Sequence, residues 1–392
     1  MAWLEISLKA TFKSFVFFAL IALSTVVNAM EPIRDSSSLW DPKKEEVVRV
    51  NGARVILADY ALIKRDFHQV ANFSNAEIDE WLIRHTAFIS KAQAGQSVVN
   101  DPISISGEER IAFRPQEYRR AHVFSVDTGG LIDAKGSGAI DPHGGDHDNG
   151  LASLGDMIRE YAYEKLVHAI FKANNEFDTV GSYAVIDYGF SIVQRNKSRS
   201  RAGLILRQAH ERYHADPVDR SEIGLAAMLP REQQVKIEKL LRRYGISSSI
   251  LWGHKELVNL QGTTKGAVVD FGAFLTKAEF HREVYFFYDS TGHVTGSDLI
   301  MKPGESEFVE VDPKLHIPFD LWGYSVSGKE NSKYDNPYIW SHELAESLAH
   351  GRAQRADAEQ HIRNLFDRND VQRALKTTGR AHVKSCEAAF EK

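Results

Sequence analysis

Two kinds of stretch alternate along the chain: short runs with apolar side chains at every second position or in unbroken blocks, and longer runs whose apolar residues recur every three or four positions. Residues 122–127 read as a short strand, Gly129-Gly130 as its turn, and residues 131–135 as the strand paired to it. From 154 to 172, Ile158, Ala162, Leu166 and Ile170 fall along one side, which predicts a helix. Residues 182–190 and 203–207 predict two more strands, completing a small antiparallel sheet with the hairpin. Residues 231–244 predict a helix that stops at Gly245.

The flanking regions are less regular. Residues 30–50 are polar and charged and read as a weakly ordered extension, followed by an apolar run at 55–62. Ser74-Asn75-Ala76-Glu77 has the form of a capping box and starts a helix through Trp81, Leu82 and Phe88. Residues 93–106 read as a loop leading into a short strand at 111–113. Beyond 275, strands are expected at 283–288 and 307–311 around a turn at 289–292, and helices at 341–350, 353–366 and 370–391. Residues 313–336 hold Phe319, Trp322 and Tyr324, suited to a partner surface or to core packing.

Composition narrows the class. With 392 residues, 43% hydrophobic and 26% charged, the chain is an ordinary globular sequence, long enough for one large domain or two. A net charge of −5 gives no reason to expect a nucleic-acid partner. The start of the chain stands apart. Lys9 and Lys13 precede an apolar run at 15–27, and Val27-Asn28-Ala29 offers small residues where a signal peptidase cuts. Residues 1–29 are therefore read as a cleaved signal peptide, with the mature chain secreted or periplasmic and free of the membrane. Cys386 is the only cysteine, so no intrachain disulfide can form and stability must come from the core.

The candidate chemistry starts at Lys135, at the end of a predicted hairpin and followed by Gly136-Ser137-Gly138. Those glycines would let a nucleotide or another backbone approach closely. Glu160 and Glu164 lie one turn apart on the next helix, and either is placed to pair with the lysine. In a kinase-like site such a pair holds the ammonium over nucleotide phosphates. The intervening loop carries Asp141, His143, Asp146, His147 and Asp148, donors suited to a divalent cation or to a phosphate-contacting loop. Arg207 and Arg212 emerge from the end of a buried strand, where a guanidinium can clamp phosphate. Residues 266–272 form an apolar strand ending in Asp270-Phe271-Gly272, and Asn259 precedes it on an expected loop. An asparagine carbonyl and an aspartate carboxylate together suit Mg²⁺ bridging nucleotide phosphates.

In their order these pieces resemble the selenoprotein-O family, kinase-like enzymes that transfer AMP from ATP to protein hydroxyls. The resemblance rests on Lys135-Gly-Ser-Gly, on Asn149-Gly150 through Ile158-Arg159-Glu160, on the strand from Gly203 to Arg212, and on Val268 to Gly272. It covers roughly residues 115–275. It implies an α+β, bilobal protein kinase-like fold, with a small antiparallel-sheet N-lobe at 111–215 behind an N-terminal extension at 30–110. A mainly helical C-lobe follows at 216–392, carrying a β insertion near 283–311. It also implies ATP and Mg²⁺ as cofactors. Lys135 and Glu160 would be the ion pair at the phosphates, Arg207 and Arg212 phosphate ligands, and Asn259 and Asp270 metal ligands. Val258 stands where the family has an aspartate next to that asparagine. A proton acceptor would then be His254, Glu256, or no dedicated base. The expected partners are an acceptor protein and a host activator. ATP is scarce in a bacterial periplasm, so export fits this activity best if the mature protein is delivered to a host cell. The alternatives are phosphoryl transfer and a kinase-like scaffold that binds without catalysis.

Overall fold

The computed structural model describes residues 30–39, 42–94, 103–115, 120–127, 129–139, 150–193, 199–211, 229–244, 246–252, 255–258, 260–276, 298–301, 308–311 and 339–366. The central element is a nine-stranded antiparallel sheet. Its strands are β1 (Lys43–Val50), β2 (Arg54–Ala58), β3 (Phe88–Ser90), β4 (Ile105–Arg114), β5 (Ala121–Ser125), β6 (Leu131–Lys135), β7 (Ala152–Ser153), β8 (Ser182–Val193) and β9 (Arg199–Gln208). Across the sheet the order is β2, β8, β9, β6, β5, β4, β1, β3, with β7 paired to β9.

The expected hairpin is present, with Ala121 opposite Lys135 and Ser125 opposite Leu131. Its far edge pairs with β9, where Asp133 faces Arg207. The sheet is larger than the alternation pattern suggests. Residues 43–50, expected to be weakly ordered, form β1 and pair along most of their length with β4. The strand expected at 111–113 extends back to Ile105. Most of β4 is exposed or half-buried, so few apolar residues marked it.

Three helices flank the sheet: α1 (Tyr60–Asp66), α2 (Asn75–Thr86) and α3 (Leu154–Asn174). The capping box at Ser74 forms as expected: its hydroxyl accepts from the Glu77 amide, and the Glu77 carboxylate accepts from the Ser74 amide. α3 is capped by Ser153, ends at Asn175 in the left-handed region, and is buried nearly all round rather than along one side. Period-two alternation in the sheet explains this. Val185 and Ile205 face α3, whereas Ala184, Ile186, Leu204 and Leu206 face the opposite core with Ile63, Trp81 and Leu82 from α1 and α2.

The other side of α3 is covered by α4 (Arg231–Arg243), α5 (Ile339–Ala349) and α6 (Arg355–Phe366), which contribute Leu240, Leu241, Ala345, Leu348, Ala358 and Ile362 to its core. The last two helices are tied to the sheet edge. Arg54 donates to the Leu348 carbonyl at 2.7 Å, and Arg355 to the Val55 carbonyl at 2.8 Å.

Short hairpins link these parts. β10 (Ile246–Ser247) pairs with β15 (Leu275–Thr276), β11 (Ser249–Trp252) with β12 (Lys255–Val258), and β13 (Gln261–Gly262) with β14 (Val268–Val269). β16 (Asp298–Met301) pairs with β17 (Phe308–Val311), which matches the strand expected at 307–311. The strand expected at 283–288, the turn after it, residues 313–336, the helix at 370–391 and Cys386 lie outside the described residues. The chain is thus a mixed α+β protein, with an antiparallel sheet in its N-terminal part and mostly helices further on. Among the described residues, no helix is long and apolar enough to cross a membrane.

Candidate functional site

Lys135 is the last residue of β6, and the chain leaves it through Gly136 at φ +95°. The glycine is needed for packing as well as for its dihedral. A Cβ there would lie 2.6 Å from the Gly203 carbonyl oxygen and 3.0 Å from Ala152 Cβ. At Gly138 the approaching group is the Gln93 side chain. Both close approaches come from the protein's own neighbouring segments, and at Gly136 it is another backbone, one of the two approaches expected there. Gly136→Ala is expected to destabilise the fold by about 1–3 kcal/mol from backbone strain alone, read as a lower urea midpoint.

α3 crosses the sheet beneath Lys135 and settles which glutamate serves it. Lys135 Nζ donates to Glu160 Oε2 at 2.7 Å. Glu164 points elsewhere: Oε1 accepts from Thr179 Oγ1 at 2.8 Å, and Oε2 lies 3.2 Å from Lys165 Nζ. Lys165 also pairs with Asp59 at 2.7 Å, so a second buried charge cluster lies one turn along the helix.

Asp270 arrives from a distant part of the chain. Val268 of β14 is bonded to the strand entrance before β8, its amide donating to the Asp178 carbonyl and its carbonyl accepting from Val180. Asp270 then turns through φ 64°, ψ 71°, one of two non-glycine residues with positive φ among those described. Such a conformation costs on the order of 1 kcal/mol or more for a residue with a Cβ. It aims the carboxylate back at the sheet, where Oδ1 accepts from Lys135 Nζ at 2.6 Å.

The segment beyond Asp270 is held by Arg159, next to Glu160 on α3. Its Nε donates to the Gly272 carbonyl at 3.1 Å, and Nη2 donates to the Phe274 carbonyl. The guanidinium lies 4.7 Å from the Tyr163 ring centroid and 5.9 Å from that of Trp340 on α5. Two successive residues of one helix therefore fix the lysine and the turn that carries the aspartate.

Arg207 completes the cluster. Its Nε donates to Asp133 Oδ2 at 2.8 Å, and its Nη1 lies 2.9 Å from both Glu160 Oε1 and Asp270 Oδ1. Burial pulls the guanidinium pKa down, but Asp133, Glu160 and Asp270 outweigh this and hold it above its ordinary value. The sequence reading gave Arg207 to phosphate; its bonds here go to carboxylates, so its visible work is to position them. Two cations, Lys135 and Arg207, face three carboxylates, Asp133, Glu160 and Asp270. The partly exposed Arg120 adds positive charge beside them, in the field of Asp156, Glu160 and Asp270.

Asp133 and Arg159 were missed as site residues, although each left a signal. Asp133 sits two positions before Lys135 on a strand, hence on the same face, in an otherwise apolar run. Arg159 directly precedes the glutamate and directly follows Ile158, which is on the apolar side of the helix.

Arg212, His254, Asn259 and the Asp/His-rich segment 140–149 lie outside the described residues. Glu256 falls in β12 opposite Leu251, so residues expected to be a loop before Asn259 are partly strand. The unbroken apolar run Ile250-Leu251-Trp252, rich in β-formers, accounts for that pairing. No group of three or more His, Cys, Asp or Glu among the described residues is arranged to hold a metal ion. The donor chemistry still suits Mg²⁺ with a nucleotide, since that ion is commonly held by one or two carboxylates plus substrate phosphates. Asp270 offers such a carboxylate, with cations beside it for the phosphates.

A scan of the chain against protein-family models finds no match, and a search of the curated proteins finds none either.

Proposed function

We propose that this chain transfers AMP from ATP to a hydroxyl of an acceptor protein, on a protein kinase-like scaffold. The observation that carries the reading is the convergence of Glu160 and Asp270, from separate segments, on Lys135 Nζ, at 2.7 Å and 2.6 Å. Their order along the chain and their pairing are what a kinase-like phosphate site requires. The choice of AMP over phosphate rests on the resemblance to the selenoprotein-O family.

In this reading Glu160 holds Lys135 so that its ammonium meets phosphate oxygens, and Asp270 with Asn259 would hold Mg²⁺. The metal would supply charge neutralisation at the phosphates. The acceptor oxygen forms a bond to the α-phosphorus, the bond from that phosphorus to the bridging oxygen breaks, and pyrophosphate leaves with the electron pair. The hydroxyl proton passes to water or to a base, for which His254 and Glu256 are the candidates. Lys135 offsets charge that grows on the phosphoryl oxygens. Arg207 positions Asp133, Glu160 and Asp270 instead of reaching the substrate. The donor would be met after export, in a host compartment that holds ATP and a host activator.

A second reading is a nucleotide- or partner-binding scaffold without catalysis. It is favoured by one observation: Asp270 Oδ1 is engaged by both Lys135 and Arg207, with which a metal would compete for the same carboxylate.

Intact mass of the chain beginning at Met30, incubated with ATP, Mg²⁺ and a panel of acceptor proteins, separates these readings. Gain of one AMP unit on an acceptor or on the chain itself, with pyrophosphate released, is the expected result. Gain of a phosphate with ADP released would move the assignment to a kinase. Failure to bind Mg-nucleotide at millimolar concentration would overturn both transfer reactions and leave a partner-binding scaffold.

A further inference from the structure

Met30 is anchored as firmly as a core residue. Its backbone nitrogen lies 2.5 Å from Asp178 Oδ2, and its carbonyl accepts from Gln208 Nε2 at 2.9 Å. Its side chain is buried in a small cluster with Val180, Ala267 and Val269. The following residues keep to the same surface, with the Ile33 amide donating to the Ala209 carbonyl at 2.8 Å.

Asp178 has little else to balance it. Its Oδ1 accepts from the Thr179 amide at 2.8 Å, and His168 Nδ1 lies 3.6 Å from it. Burial pushes the Asp178 carboxyl up, and burial pulls the His168 imidazole down. Glu164, Lys165 and Lys172 are the other charged groups around this pair. Of these, Lys165 is engaged with both Glu164 and Asp59. Among the described residues, this carboxylate is thus held in a desolvated place, against a backbone nitrogen, with no lysine or arginine paired to it.

The sequence puts that nitrogen immediately after Ala29, the small residue that ends the apolar leader-like run. We propose that Asp178 is a receptor for the α-ammonium created when the chain is cut between Ala29 and Met30. Before the cut, Met30 offers one amide N–H; after it, a charged amine with three donors occupies the same place. The new ion pair bears on the site from both sides. The Asp178 carbonyl accepts from Val268, two residues before Asp270, and Gln208, which holds the Met30 carbonyl, follows Arg207. Processing thereby tightens the segments that carry Arg207 and Asp270. The inference depends on no reading of the reaction.

The sign of the pH effect follows from the pairing. A free α-amine has an ordinary pKa of about 7.7–8.0, and the Asp178 carboxylate raises it in the folded chain. Its stabilisation is fully present below the unfolded value and is lost as pH rises through the folded one.

The test compares two purified chains, one starting at Met30 with a free amine and one in which an uncleaved Gly-Ser segment precedes Met30, each as wild type and as Asp178→Asn. The free-amine chain is expected to melt roughly 2–4 °C higher at about pH 6.5, with the gap closing near pH 10 and missing in Asp178→Asn. Equal melting of the two wild-type chains, or a gap that ignores pH, would overturn the proposal. The pH arm decides the matter even if Asp178→Asn fails to fold. Export of the full chain with a mature N-terminus other than Met30, read by intact mass, would overturn it independently.

Discussion

Arg207→Met is expected to cost about 3–5 kcal/mol of stability, the range for removing one partner from a buried ionic network. The guanidinium is 2% exposed and touches Asp133, Glu160 and Asp270, whose side chains are 0%, 2% and 14% exposed. Its loss leaves three carboxylates around a single ammonium, and Lys135 cannot reach all of them in its present geometry. Asp133 loses two close contacts with the guanidinium, from Nε and Nη2, at its fully buried carboxylate. Arg207→Lys should recover only part of the loss, since an ammonium cannot span Asp133 on the sheet and Glu160 on the helix as a planar fork does. Adding Asp133→Asn to Arg207→Met should restore a measurable share, because it removes the carboxylate left stranded. Urea midpoints of the four proteins at neutral pH give the comparison. A wild-type midpoint in Arg207→Met would show that the cluster does not form in solution.

Much of this arrangement was legible in the sequence, and the illegible parts have physical reasons. The hairpin, α3, β8 and β9 announced themselves because they are long or cleanly alternating, and their order placed Lys135 near a helix bearing Glu160. Strands β1 and β4, toward one side of the sheet, did not. β1 reads Lys-Lys-Glu-Glu before its apolar residues begin, and most of β4 is exposed or half-buried, so neither carries the apolar alternation that marks a strand. The choice between Glu160 and Glu164 could not be made from spacing, since both lie on one helix face. It was decided by competition: Thr179, Ser182 and Lys165 take Glu164.

The orientation of Arg207 was within reach. It is two residues after Ile205, and a residue two positions from a helix-facing isoleucine must also face the helix, toward Glu160. What the alternation could not supply was the distance between that face and Asp270, which depends on the turn at φ 64°.

Asp270 is where the proposed chemistry can be separated from the fold. Asp270→Asn should lower the rate of AMP transfer by about 10²–10³, the effect of removing one charge-stabilising group from a site of this kind. The same variant should stay folded. Asn tolerates the left-handed region better than other residues with a Cβ, its amide oxygen can still accept from Lys135, and Glu160 remains to hold both cations. Asp270→Ala is the less informative change, because alanine at φ 64° adds backbone strain to the lost charge. The measurement is the single-turnover rate on an acceptor that the wild type modifies, taken with melting temperature and Mg-nucleotide affinity. A slow, well-folded Asp270→Asn protein that still binds nucleotide places Asp270 at the reacting phosphate. Transfer at the wild-type rate would remove it from the chemistry and leave its contact with Lys135 as a structural one.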